Sequence, residues 1–195
     1  MNLFSENVRK KAENQLLRLE PELRRSGFVP GWEQGVWRLE DAHSYRQLYC
    51  GFTINNKFLT KVYCMYMRVT LEGCSFESDF ETSCEFLGTT KIKGVIFKRR
   101  KGKAAEVESL CDDPGLADAI CLAAEKFDIE TICIRCDRTI GTLSIEIRPY
   151  AGAFVWVKFP PIAKQIPLRS DEIAALCELT LFMKEHFSKG LRHTV

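Results

Sequence analysis

The chain lacks the glycine signatures of phosphate binding: neither Gly-x-Gly-x-x-Gly nor Gly-x-x-x-x-Gly-Lys occurs, and no Gly-x-Ser-x-Gly elbow is present. Dinucleotide-binding folds, nucleotide hydrolases and the common hydrolase solution are thereby disfavoured. No stretch approaches 18 uninterrupted apolar residues, so no transmembrane helix is expected. The N-terminus, Met-Asn-Leu-Phe-Ser-Glu-Asn-Val-Arg-Lys-Lys, has no apolar segment of the kind a secretory signal needs. A cytoplasmic location is the simplest expectation. An excess of either charge is also missing: a formal net charge of +2 gives no strong steering towards nucleic acid or an acidic membrane.

What is present is an ordinary globular composition. With 46% hydrophobic and 28% charged residues the chain is too apolar for disorder, and 195 residues suffice for a sizeable core without staples. One α+β domain over 1–195 is expected, with a possible sub-division into 1–101 and 102–195. Nine cysteines are scattered, mostly through apolar runs, and their number is odd. They read as small core residues in a reducing compartment, and not as a disulfide framework.

The clearest pattern lies at 75–86, where Phe76, Ser78, Phe80, Thr82, Cys84 and Phe86 alternate with Glu77, Asp79, Glu81, Ser83 and Glu85. A period of two predicts a strand with one apolar or small face and one carboxylate-lined face. Further strands are predicted at 36–39, 45–54, 59–71, 91–99, 132–137, 143–148 and 153–159, with Pro30-Gly31 and Asn55-Asn56-Lys57 as turns. Helices are predicted at 5–25, with Ser5 as N-cap and a break at Pro21, and at 104–111 and 115–127. A terminal helix follows, capped by Ser170. The expected fold is a mainly antiparallel sheet of about seven to eight strands, possibly in two meanders, with helices largely on one face, including the N- and C-terminal ones.

Candidate chemistry is sparse. Cys133 and Cys136 form a Cys-x-x-Cys pair, but residues three apart on a strand face opposite ways and no second ligand pair accompanies them. A structural role is expected, with no metal and no cofactor. Of the three histidines, His193 falls in the tail, His186 on the terminal helix, and His43 in a polar turn beside Glu40 and Asp41. No catalytic residue is assigned. The carboxylates Glu77, Asp79, Glu81 and Glu85 find natural partners if residues 91–99 return beside them, bringing Lys91, Lys93, Lys98 and Arg99 across the sheet. The run Lys98, Arg99, Arg100, Lys101 and Lys103 is the candidate anion contact.

By elimination, the expected function is non-catalytic binding of another macromolecule, a protein partner before nucleic acid, through the acidic strand face or the basic turn. The alternative is a small hydrophobic ligand or substrate held in a cleft between sheet and terminal helix, where Tyr66, Arg68, Arg148 and Trp156 would converge. A second alternative is nucleic-acid or anionic-surface binding through the basic run at 98–103.

Overall fold

The computed structural model describes residues 3–41, 44–88 and 92–192. Its elements run α1 (Leu3–Leu17), α2 (Glu20–Arg25), β1 (Phe28–Glu33), β2 (Val36–Asp41), β3 (Ser44–Asn56), β4 (Thr60–Glu72), β5 (Phe80–Leu87) and β6 (Gly94–Lys101). They continue with α3 (Ala105–Cys111), α4 (Pro114–Ala124), β7 (Ile129–Asp137), β8 (Thr142–Pro149), β9 (Phe154–Val157), β10 (Ile162–Gln165) and α5 (Ser170–Arg192). The strands form one antiparallel sheet in the order β1-β2-β3-β4-β8-β7-β5-β6. Beyond the end of β8, the start of β4 pairs with β9, which in turn pairs with β10. The expected α+β class with a mainly antiparallel sheet is the class observed, but not as two meanders: β5 and β6 attach through β7 instead of following β4, and β9 pairs with β4 instead of β8.

Parity along β4 sorts the whole sheet. Tyr63, Met65, Met67 and Val69 are buried on one face, and Met67 sits opposite Ile147 while Arg68 sits opposite Glu146. Because opposed residues share a face, Ile145 and Ile147 of β8 and Ile132 and Ile134 of β7 join the same side. There they form one core with Ile120 of α4 and Leu176, Met183 and Phe187 of α5. A smaller cluster joins Val8 and Ala12 of α1 to Tyr63, Phe154 and Trp156. All five helices place buried apolar residues in these two clusters, so the helical layer lies on one face. His186 ties α5 to α3 through the carbonyl of Leu110 at 2.9 Å.

Several boundaries differ from expectation for local reasons. The helix begins at Leu3, so Ser5 lies within it, and it ends at Leu17. Pro21 then occupies the first turn of α2, where its missing amide has no intrahelical partner to lose. Pro30-Gly31 lies inside β1, an edge strand that tolerates proline, and the turn falls at Gln34-Gly35. Asn55 and Asn56 pair with Val62 and Lys61, moving the β3–β4 turn to Phe58-Leu59. The acidic strand starts at Phe80, leaving Glu77 and Asp79 in the preceding loop, and β1 and β10 raise the strand count to ten. Arg169 takes the cap position of α5: its amide donates to Glu172 at 2.8 Å, and its carbonyl accepts from Ile173.

The turn after β6 is a packing constraint. Gly102 has φ +67°, and a Cβ there would lie 1.7 Å from the carbonyl oxygen of Asp79. Gly102→Ala is therefore expected to cost about 3 kcal/mol or more, from left-handed strain plus overpacking. Urea unfolding should show a lower midpoint at an unchanged slope; an unchanged midpoint would show that this turn opens without cost.

Candidate functional site

The even-numbered residues of β4 lie on the face away from the helices. Tyr66 and Arg68 point there with Ser144, Glu146 and Arg148 of β8 and Cys133 and Arg135 of β7, because the registers pair Arg68 with Glu146, Glu146 with Cys133 and Ser144 with Arg135. Glu146 is the centre. Only 2% of its side chain is exposed, although no helix covers it. The side chains of its strand neighbours bury it: the Arg68 Nε donates to Oε2 at 3.0 Å with a second bond from Nη2, and the Arg148 Nε donates to Oε1 at 2.7 Å. Arg68 also stands over the Tyr66 ring, 4.7 Å from its centroid. Tyr66 lies flat because residue 51 on β3 is glycine: a Cβ there would come within 2.8 Å of the phenol oxygen.

Burial alone would push the Glu146 carboxyl up. The hydrogen bonds and charges of Arg68, then of Arg148, outweigh that and hold it below the usual carboxylate value. Burial pushes the Tyr66 phenol up, with Arg68 opposing only in part. The thiols of this face are raised as well: Cys64 by burial and then Glu130, Cys133 by burial against the pull of Arg135. Such thiols are poor nucleophiles, and an ionised Glu146 with both oxygens engaged is a poor proton carrier. What the group can do is donate hydrogen bonds. Each guanidinium uses its Nε and Nη2 edge on Glu146, which leaves its outer edge for an external carboxylate or phosphate.

Of the residues singled out for a ligand, Tyr66, Arg68 and Arg148 come together, on the face opposite α5. Trp156 does not join them; it packs on the helical side with Tyr63 and Phe154. Next to Arg68 a cleft of about 340 Å³ is lined by Glu81, Lys101, Arg135, Asp137 and Ser144, among others. A smaller pocket of about 210 Å³ lies between α1, Met65 and the start of α5, lined in part by Gln15, whose amide nitrogen donates to the Gly152 carbonyl at 2.9 Å.

The basic run is largely occupied by its own surroundings. Lys98 pairs with Glu85 at 2.5 Å, Arg99 with Glu108 at 3.1 Å, Arg100 with Glu85 at 3.3 Å and Lys101 with Asp79 at 3.6 Å, while Lys103 has no ion pair among the described residues. The anticipated pairing of this strand with the acidic one is thus present, with Glu81 going instead to Arg135 at 3.3 Å. Cys133 and Cys136 face opposite sides of β7; Cys136 is buried in the core, which lifts its thiol to about 12. His43, His193 and Lys91 lie outside the described residues. Sequence reading missed Glu146 as a site residue. Its signal was there, a Glu-x-Arg step on an alternating strand, but the second arginine comes from a strand 78 positions away.

The fold and this face define an α+β protein with a helical layer on one side of its sheet and an ion-paired, hydrogen-bonding face on the other. A family described as "protein of unknown function (DUF3156)" matches residues 28–187, and the chain belongs to that family. The match runs from the first residue of β1 into α5 and includes every residue of the Glu146 cluster. No curated protein and no solved structure matches the chain.

Glu146→Gln keeps the size of the side chain but leaves two guanidiniums facing each other. It is expected to cost roughly 2 kcal/mol, below the ~3–5 of a fully buried pair, because Arg68 and Arg148 retain 35% and 22% exposure. The sign with pH follows from the lowered folded value. The carboxylate contributes stability above its unfolded value, near 4.5, and that contribution disappears as pH falls through the lower folded one. Chemical denaturation across the acid range should show this loss in the wild type and not in Glu146→Gln; parallel profiles would show that Glu146 gains nothing from its arginines.

Proposed function

We propose that this protein is a non-catalytic binding domain that takes an acidic segment of a protein partner on the helix-free face of its sheet. The observation that carries this reading is the pair of arginines held side by side on one buried carboxylate. Their planar groups are pre-oriented by Glu146 and Tyr66, so little side-chain entropy remains to be lost on binding. Arginine and tyrosine are enriched where protein interfaces concentrate their energy. The depressed carboxyl and raised thiols favour binding over proton transfer or nucleophilic attack. The basic run is the weaker candidate for the same partner, because four of its five cations already have carboxylates.

A fluorescein-labelled oligoglutamate peptide followed by anisotropy tests this reading. Arg148→Lys keeps the charge but loses the planar edge, and should weaken binding about tenfold, equivalent to ~1.4 kcal/mol. Replacing Lys98, Arg99, Arg100 and Lys103 together with Ser, with Lys101 kept because it lines the cleft beside Arg68, should leave it within about twofold, as expected for exposed, mostly paired charges. The reading fails if the wild type does not bind, or if the basic-run variant loses binding while Arg148→Lys retains it.

A further inference from the structure

The β3–β4 and β9–β10 hairpins end side by side. Val157 pairs with Thr60, and the Lys158 amide donates to the Leu59 carbonyl at 2.8 Å, so both tips project from the same end of the sheet. Phe58 on one tip is 90% exposed and Phe159 on the other is 81% exposed. Leu59 and Ile162 beside them are 46% and 51% exposed. Single exposed apolar residues are common on protein surfaces, but two fully presented phenylalanines on adjoining tips form a concentrated apolar feature.

The first tip also breaks the rules of its own turn. Lys57 and Thr60 exchange backbone hydrogen bonds, at 2.8 and 3.3 Å, around a two-residue loop whose centre is Phe58-Leu59. Such loops favour Asn, Asp or Gly, and Asn55-Asn56 stand immediately before this one without occupying it. Local chemistry is thus set aside to place a large apolar pair at the apex, the kind of conflict expected where function outweighs stability.

The charge carried by the two hairpin tips themselves is of one sign. Each exposed phenylalanine directly follows a lysine, Lys57 before Phe58 and Lys158 before Phe159, and Lys164 lies on β10. These three lysines make no ion pair among the described residues. No Asp or Glu occurs in residues 42–71 or 147–170, which contain both hairpins except Glu72, the last residue of β4 at the end far from the tips. Protein interfaces are depleted of lysine. Apolar wedges with lysine at their shoulders and no carboxylate are instead suited to a bilayer carrying negative headgroups, where each lysine adds attraction and aromatic rings settle at headgroup depth.

We propose that the paired tips, Phe58-Leu59 and Phe159 with Ile162, dock onto the surface of an anionic lipid bilayer, the rings entering the interface and Lys57, Lys158 and Lys164 contacting headgroup phosphates. This is attachment to one leaflet; no helix among the described residues is long and apolar enough to cross a membrane. The surface is separate from the Glu146 cluster, because Arg68 stands eight residues along β4 from Thr60, about 26 Å at strand rise.

Co-sedimentation of the full chain with vesicles provides the test, comparing pure phosphatidylcholine with phosphatidylcholine containing about one-third phosphatidylglycerol, where anionic lipid adds the surface potential. The wild type should partition at least about tenfold more strongly onto the anionic vesicles, with the preference falling as salt rises. Phe58→Ser with Phe159→Ser should lose at least about tenfold of that partition, as expected from removing two interfacial anchors. Its melting temperature should not change, because the tips are outside the core. Lys57→Gln with Lys158→Gln and Lys164→Gln should lose the anionic preference. The proposal is overturned if the wild type stays in the supernatant, or if both tip variants sediment like it. It is equally overturned if only the Ser replacement of the 98–103 cations releases the protein. Self-association would replace it if ultracentrifugation showed a dimer dispersed by the Phe variant and no vesicle binding.

Discussion

Everything in this structure turns on the two-residue period of β4. It is hydrogen-bonded to β3 along one edge and to both β8 and β9 along the other, so its parity is imposed on the strands around it. A slip of one residue would carry Met65, Met67 and Val69 to the open face and bring Tyr66 and Arg68 under α5. Fully burying each of those apolar side chains is worth about 1.5–3 kcal/mol, so such a slip is strongly disfavoured. The helical layer then has one face to cover. The charged cluster is the other consequence of the same alternation.

The charge pairs do a different job from the apolar core. Lys98 with Glu85, or Arg135 with Glu81, joins partly exposed groups, and such pairs contribute only about 0–1 kcal/mol each. Their effect is on register and on which surfaces remain open: they consume most of the basic run and leave little of it for an external anion. Glu146 is the exception. Its burial on an uncovered face is possible only because two guanidiniums replace the water it loses, and one tyrosine and one glycine keep Arg68 in place. A group satisfied this way is a fixed template for its arginines.

Much of the fold was legible because it depends on period. Alternation at 80–86, 132–137 and 143–148 and the apolar stripe of α5 each identify an element and its buried face. Boundaries were less so, for reasons tied to tertiary context: Pro30 reads as a turn but sits safely on an edge strand, and Glu77 continues an alternation that hydrogen bonding does not. The candidate site was half legible. Tyr66, Arg68 and Arg148 were named together, but their meeting point was expected beneath α5. The residue that joins them, Glu146, becomes visible only once β4 is known to pair with β8, a contact between strands far apart in sequence. Trp156 went elsewhere because the strand carrying it pairs with the opposite end of β4, with the parity that faces α1.

The two hairpin tips show why a departure from local rules can say more than agreement with them. Asn55-Asn56-Lys57 has the residues a turn wants, and the chain passes it by, pairing both asparagines into the ladder and turning on Phe58-Leu59. Neither tip alone would mean much, since an exposed phenylalanine is ordinary. Their meaning comes from the antiparallel pairing of β9 with the start of β4, which sets two Lys-Phe steps from distant parts of the sequence at one end of the sheet. A single strand thus carries Arg68, one arginine of the pair, beyond its middle and reaches the aromatic tips at its start. On this reading, a molecule held to a surface by those tips would keep the open sheet face clear of that surface and accessible to a partner.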